Sequence, residues 1–268
     1  MATPPHTQPA ESDDLLTIAA IAALAAILAS LLHEGVGHAA VALATGAKSG
    51  VLTAVAWSSE FDSRLVSAGG TLVNLAAAAL FWLALRRFSK LPLEARYFLV
   101  ISMAFNLFDG TGYFFFSGVS NFGDWAAVIQ DLRPHWVWQL LLVLVGIATY
   151  FGAVVVTGKG FVGDLGIPQT DGRRLQRLAT IPYIVAIIVV GLAGLLNPIS
   201  IRLVWLSALP ATAGAHSGLL WFRHYIPRGT TPIHEPATIA RNDGWITGSA
   251  LLTLAFIVVL GHGVTLPL

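Results

Sequence analysis

"LLHEGVGHAAVALATGA", residues 31–47, places two histidines and a glutamate in a run that is otherwise almost wholly Leu, Ala, Val and Gly. Ionisable side chains at membrane depth are costly, so His33, Glu34 and His38 read as functional residues. Their spacing is H-E-x-x-x-H, one residue longer than the H-E-x-x-H in which two histidines on one helical face bind zinc. On a regular α-helix, residues four apart lie about 40° apart around the axis, and residues five apart about 140°. A straight helix therefore gives Glu34 and His38 a common face and turns His33 away. Two geometries resolve this. A π-bulge, with i to i+5 pairing, brings His33 and His38 into line; alternatively Glu34 and His38 are themselves the metal ligands. The bulge is the favoured expectation, because Gly35 and Gly37 make the distortion inexpensive.

The rest of the chain supplies the setting. Of 268 residues, 56% are hydrophobic and only 11% charged, and the mean hydropathy is +0.74. That is the composition of a membrane protein. With no cysteine, disulfides and thiolate ligands are excluded, leaving His, Asp and Glu to hold any metal. A net charge of +1 without a basic run argues against a nucleic-acid partner. Apolar runs of membrane-crossing length lie at about 15–44, 64–85, 94–117, 135–157, 177–196, 203–222 and 244–262. The expected fold is an all-α polytopic membrane protein of about seven spans. "VLTAVAWSS", residues 51–59, is too short to span and reads as a strand or hairpin after the first helix. "MATPPHTQPAESDD", residues 1–14, reads as a disordered tail before an uncleaved first span. Residues 15–130 hold the membrane core, and 131–268 the additional helices.

Under seven spans, eleven of the fifteen basic residues fall on one side, in the loops after the second, fourth and sixth spans. Positive residues mark the cytoplasmic side, so the N-terminus is expected there. The composition suits a bacterial inner membrane.

Two further segments carry polar residues in apolar surroundings. "AGGTLVNLAAAAL", residues 68–80, contains Gly69, Gly70 and Asn74; "FNLFDGTGYFFFSGVSNFGDW", residues 105–125, contains Asn106, Asp109 and Asp124. In this order, "HEGVGHAAVALATGA" and these two segments resemble the metal-binding segments of the site-2 protease family of intramembrane zinc metalloproteases. The likeness covers roughly residues 15–130, with the first motif stretched by one residue and the family's prolines between asparagine and aspartate absent. The resemblance implies a three-helix metal core and a zinc ion held by His33, His38 and an aspartate. It also implies Glu34 as the base that activates water, and Asn74 and Asn106 as donors to the developing oxyanion. The implied substrate is a transmembrane protein segment, cleaved within the lipid bilayer. Asp109 matches the family's "DG" literally. Asp124 follows the broken stretch "SGVSNFG" and opens a new helix, whose N-terminus favours a carboxylate. Both stay open as third ligand, with Asp124 slightly favoured.

His216, in "LPATAGAHSGLLWF" at residues 209–222, sits among small residues that let helices approach closely. It reads as a packing histidine, with a role behind the ligands or at a gate as the alternatives. The same ligand set also fits a hydrolase of lipid amides or esters, and metal binding alone fits a transporter. Glu34 separates these readings, since only a hydrolase needs it as base.

Overall fold

The computed structural model describes residues 12–267; residues 1–11 of the expected tail lie outside them. Six helices among the described residues are long and apolar enough to cross a membrane: α1 (Leu15–Thr45), α2 (Arg64–Arg87), α3 (Leu93–Ser120), α5 (His135–Asp164), α6 (Gly172–Leu195) and α7 (Asp243–Leu260). A short helix, α4 (Asp124–Ile129), follows α3. The run expected as a seventh span is helical but irregular. Between Val204 and Tyr225 it passes through π-type, 3-10 and α turns, with Pro210 and Gly214 inside the break. Proline removes a backbone donor and crowds the preceding turn, which accounts for the loss of regular pairing. This broken segment runs across the molecule. Ser207 donates to the Val55 carbonyl at one end (2.8 Å), and just past the other the Gln169 amide donates to the Pro227 carbonyl (2.9 Å).

Between Thr17 and Ala29 helix α1 has no exposed residue. Ala20, Ala22, Ala23, Ala25, Ala26 and Ala29 are all covered, and their small side chains let neighbouring backbones pack closely where lipid supplies no hydrophobic drive. Its start is capped by Asp14, which accepts from the Thr17 amide (2.8 Å). Helix α3 runs through the centre and fills it with Tyr97, Phe105 and Phe108. By contrast Leu80, Trp136, Leu144, Ile188, Leu251 and Leu254 face outward. Such a large apolar exterior is the surface of a protein solvated by lipid, and the chain is an integral membrane protein.

The expected strand after the first helix is present as a hairpin, β1 (Ser49–Leu52) and β2 (Trp57–Ser58). The C-terminal β3 (Val264–Pro267) adds to its other side, in antiparallel order β2-β1-β3. Leu52 stands opposite Val264, and Ser49 opposite Pro267. Nothing in the sequence pattern announced β3.

At the opposite end, Asp13 belongs to the fold rather than to a loose tail. Its carboxylate accepts two bonds from Arg174 (2.7 and 2.9 Å), one from Arg177 (2.9 Å) and one from the Ile239 amide (2.9 Å). This clasp joins the start of α1 to the start of α6 and to the chain before α7. Burial pushes the Asp13 carboxyl up. The Arg174 and Ile239 hydrogen bonds, with the Arg174 charge and the Arg177 bond, outweigh it and hold the group below its ordinary value. A depressed folded value means stability that is complete above about pH 4 and lost as pH falls through the folded value. Asp13→Ala leaves two guanidinium groups facing each other and is expected to cost about 3 kcal/mol at neutral pH. Thermal unfolding in detergent checks this: the Tm gap to wild type should be wide at pH 7 and narrow below about pH 4. Equal Tm values at pH 7 would remove the clasp from the stability of the fold.

Candidate metal centre

From Leu31 to Ala40, α1 is a π-helix. The wider turn brings His33 and His38 to one face, their rings edge to face with centroids 4.8 Å apart. Their Nε2 atoms are 3.1 Å apart. Each ring is held from behind by its other nitrogen. His33 Nδ1 donates to Asn74 Oδ1 (2.6 Å), and His38 Nδ1 donates to the Val66 carbonyl (2.7 Å). The Asn74 orientation is fixed in turn, because its amide nitrogen donates to Asn106 Oδ1 (2.7 Å) and to the Ala29 carbonyl (3.3 Å). Asn106 then donates to the Ser102 carbonyl (2.8 Å). With both Nδ1 atoms protonated, the two neutral imidazoles present bare lone pairs at Nε2.

A third electron-rich atom closes the triangle. Asn121 (φ 52°) and Gly123 (φ 85°) reverse the chain after α3 and deliver Asp124 at the first position of α4. Its Oδ2 lies 3.2 Å from His33 Nε2 and 3.4 Å from His38 Nε2. That oxygen is buried and meets no hydrogen-bond donor. Three acceptors converging without a proton between them repel one another unless a cation sits among them. Two atoms each about 2.0–2.2 Å from one ion, at a tetrahedral angle, are about 3.3–3.6 Å apart. The observed edges come close to this, so His33, His38 and Asp124 form a group that could hold a metal ion.

The centre depends on an unusually close approach of α1 and α2. A Cβ built on Gly69 or Gly37 would run into backbone of the other helix, and one on Gly70 would fall 2.5 Å from His38 Nε2 and 2.6 Å from His33 Nε2. The glycines that the sequence placed near Asn74 are therefore the floor of the site. Asp109, the other candidate ligand, turns elsewhere. Its Oδ1 pairs with His216 Nε2 at 3.0 Å, so His216 on the broken segment has a carboxylate partner that its sequence context did not reveal. Asn74 and Asn106, expected as oxyanion donors, have their amides tied into the chain behind His33.

Glu34 lies in the same π turn as the histidines and is buried. It lines two spaces. One is a cavity of about 40 Å³, shared with Ser30, His33, Asp109, Tyr113 and His216. The other is an open cleft of about 340 Å³, bordered by His38, Asp124, Trp57, Ser58 and Tyr113. Tyr113, which sequence reading passed over as one aromatic among many, stacks on the His33 ring at 4.8 Å and stands where both spaces meet.

Two substitutions probe this geometry. Gly70→Ala places a methyl group against both Nε2 atoms and is expected to abolish metal binding. Asn74→Ala frees the His33 ring and is expected to weaken metal affinity about 10- to 100-fold. Equilibrium dialysis with zinc on purified protein reads both; wild-type affinity in Gly70→Ala would show that the two histidines do not share one ion. Comparisons with protein-family models, with curated proteins and with solved structures find no match to this chain.

Proposed function

We propose that this protein is a zinc-dependent hydrolase of the site-2-protease kind, cleaving peptide bonds of membrane-embedded substrates. The observation that carries the reading is the convergence of His33 Nε2, His38 Nε2 and Asp124 Oδ2 within 3.1–3.4 Å, beside Glu34 on the same turn. A zinc ion held by these three would supply Lewis acidity, making water a usable nucleophile near neutral pH. Glu34, facing both the small cavity and the cleft, takes the proton from the attacking water and returns it to the departing nitrogen. A helical substrate keeps its carbonyls inside its own hydrogen bonds, so the scissile segment must unwind before it enters. The cleft suits an extended segment: β2, at the free edge of the sheet, forms part of its wall, and an unpaired edge accepts a further strand.

The topology belongs to the same proposal. β1 and β3 pair, so residues 49 and 267 lie on one side of the membrane. An even number of crossings must separate them. Five regular spans intervene, and the broken segment makes the sixth, which gives seven crossings in all. The basic loops then put the N-terminus in the cytoplasm, and the composition suits a bacterial inner membrane.

A second reading draws on a different feature. An apolar groove of about 580 Å³, lined by Phe115, Val119, Ile147, Phe151 and Trp221, meets the cleft at Tyr113 and Phe116. Such a space fits an acyl chain, and favours a hydrolase of lipid amides or esters over one of peptides.

Elemental analysis of detergent-purified protein tests the metal. About one zinc per chain is expected, lost in His33→Ala, His38→Ala and Asp124→Ala and kept in Asp109→Ala. Glu34→Gln should keep the metal and slow hydrolysis of a transmembrane peptide by about 10²- to 10⁴-fold. Cleavage of an N-acyl lipid but not of the peptide selects the second reading. Metal bound without any hydrolysis leaves a binding or transport protein, and a metal-free, well-folded wild type ends the proposal.

A further inference from the structure

We propose that the metal centre opens to the extracytoplasmic face, and that its substrates are membrane-spanning segments cut at their extracytoplasmic end. The inference rests on the hydrolase reading and on the orientation proposed with it. Two helices set the depth of the centre independently. His33 lies eighteen residues beyond Leu15 in α1 and His38 twenty-three, roughly 27 and 35 Å along the helix. Helix α3 runs 28 residues from Leu93 to Ser120, roughly 42 Å, before the turn that delivers Asp124. Both helices start at the end of the molecule held by the Asp13 clasp, where Tyr97 of α3 donates to the Leu178 carbonyl (2.7 Å). The loops rich in Lys and Arg lie at that end, the cytoplasmic one by the positive-inside rule. A hydrocarbon core is about 30 Å thick, so the centre sits near its far boundary and not in its middle. The surroundings agree. Lys48, Glu60, Asp62, Arg64, Asp131 and Arg133 are exposed on the side of the centre, and Arg64 pairs with Asp131 at 3.6 Å. Ionisable side chains in such number mark water. Ser58 and Asp62, both exposed, also border the 340 Å³ cleft, together with Ser59 and Ser67. The cleft thus leads from that water to Glu34 and His38 past polar residues.

This placement decides which bond the site can take. Within a membrane helix the backbone donors and acceptors satisfy one another, and opening the middle of one in hydrocarbon exposes groups that nothing else satisfies. The ends of a helix differ, because their last backbone groups have no partner within the helix and meet water or headgroups. A site at the boundary takes a segment whose final turn has come undone, and draws its water from the same side. In the hydrolysis the water oxygen bonds to the carbonyl carbon, and the C–N bond breaks with its electron pair on nitrogen. The water's proton reaches that nitrogen by way of Glu34. The polar piece is released outside, and the apolar piece stays in the bilayer.

The chain has no cysteine, so single thiols report sidedness in the full-length protein in intact spheroplasts. Ser58→Cys, on the rim of the cleft, should react with a membrane-impermeant maleimide from outside. Lys90→Cys, in the loop after α2, should react only once the cells are lysed. Any other pattern overturns the proposal, whatever the protein hydrolyses. Should Ser58→Cys fail to accumulate, Asp62→Cys decides by the same readout. The second arm is a co-expressed single-pass leucine–alanine segment of about 20 residues with its N-terminus in the cytoplasm. Fragment masses locate the cut, and Glu34→Gln supplies the uncleaved control. The cut is expected in the outermost turns, and each Ala→Gly there should speed it up to about fivefold, with no change for a glycine at the cytoplasmic end. A cut in the middle or at the cytoplasmic end overturns the proposal and leaves the hydrolase reading standing. No cut in any of these segments, with Ser58→Cys open to the outside, ends the hydrolase reading and the substrate class with it.

Discussion

The contact of Gly37 in α1 with Gly69 and Gly70 in α2 governs the rest of the structure. Only residues without a Cβ let two helix backbones meet this closely, and in lipid that proximity is itself the main source of attraction. It brings the Val66 carbonyl and the Asn74 side chain within reach of His38 and His33, so that each imidazole is oriented from behind. It also leaves the space above Gly70 free for the two Nε2 atoms. The π turn supplies the complementary half of the arrangement. It widens α1 where His33 and His38 must share a face, and Gly37 itself lies within it.

Behind the two histidines runs a fully buried polar chain, from the Ser102 carbonyl through Asn106 and Asn74 to His33. In a low-dielectric interior an incomplete chain of this kind would be a liability, and a complete one fixes each group in a single orientation. Here the chain has one consistent direction of donation, which selects the histidine tautomer that offers Nε2 outward. The opposite side of the centre is built differently. Asp124 arrives from outside the spans, on a short helix reached through two residues with positive φ. The candidate site thus combines two histidines of one helix, oriented by its neighbour, with a carboxylate whose place is set by a turn.

The two ends of the molecule are closed by contacts between residues remote in sequence. On the side of the centre, β3 joins β1, and Asn197 donates to Thr53 (3.0 Å). On the other side, Asp13 gathers Arg174, Arg177 and the Ile239 amide. The two closures tie both ends of α1 to elements distant in sequence. The strand stretch at residues 51–59 was legible in the sequence, but its partners Asn197 and β3 were not, and neither was the role of Asp13.

Local order was legible in the amino-acid sequence. Hydropathy located the apolar helices because a membrane-crossing segment must satisfy its own backbone and therefore declares itself by length. The H-E-x-x-x-H spacing with its two glycines pointed to a π turn, since both periodicity and backbone freedom are properties of neighbouring residues. The choice between Asp109 and Asp124 was of another kind. It depends on how α3 is rotated against α2 and on where the turn at Asn121 and Gly123 sends the chain. The same holds for the partner of His216, the engagement of Asn74 and Asn106, the addition of β3, and the irregular path of the segment after Val204. Each is settled by packing between elements far apart in sequence. Asp124, only slightly favoured by the sequence, meets the two histidines because the close approach of α1 and α2 leaves two lone pairs facing the end of α3.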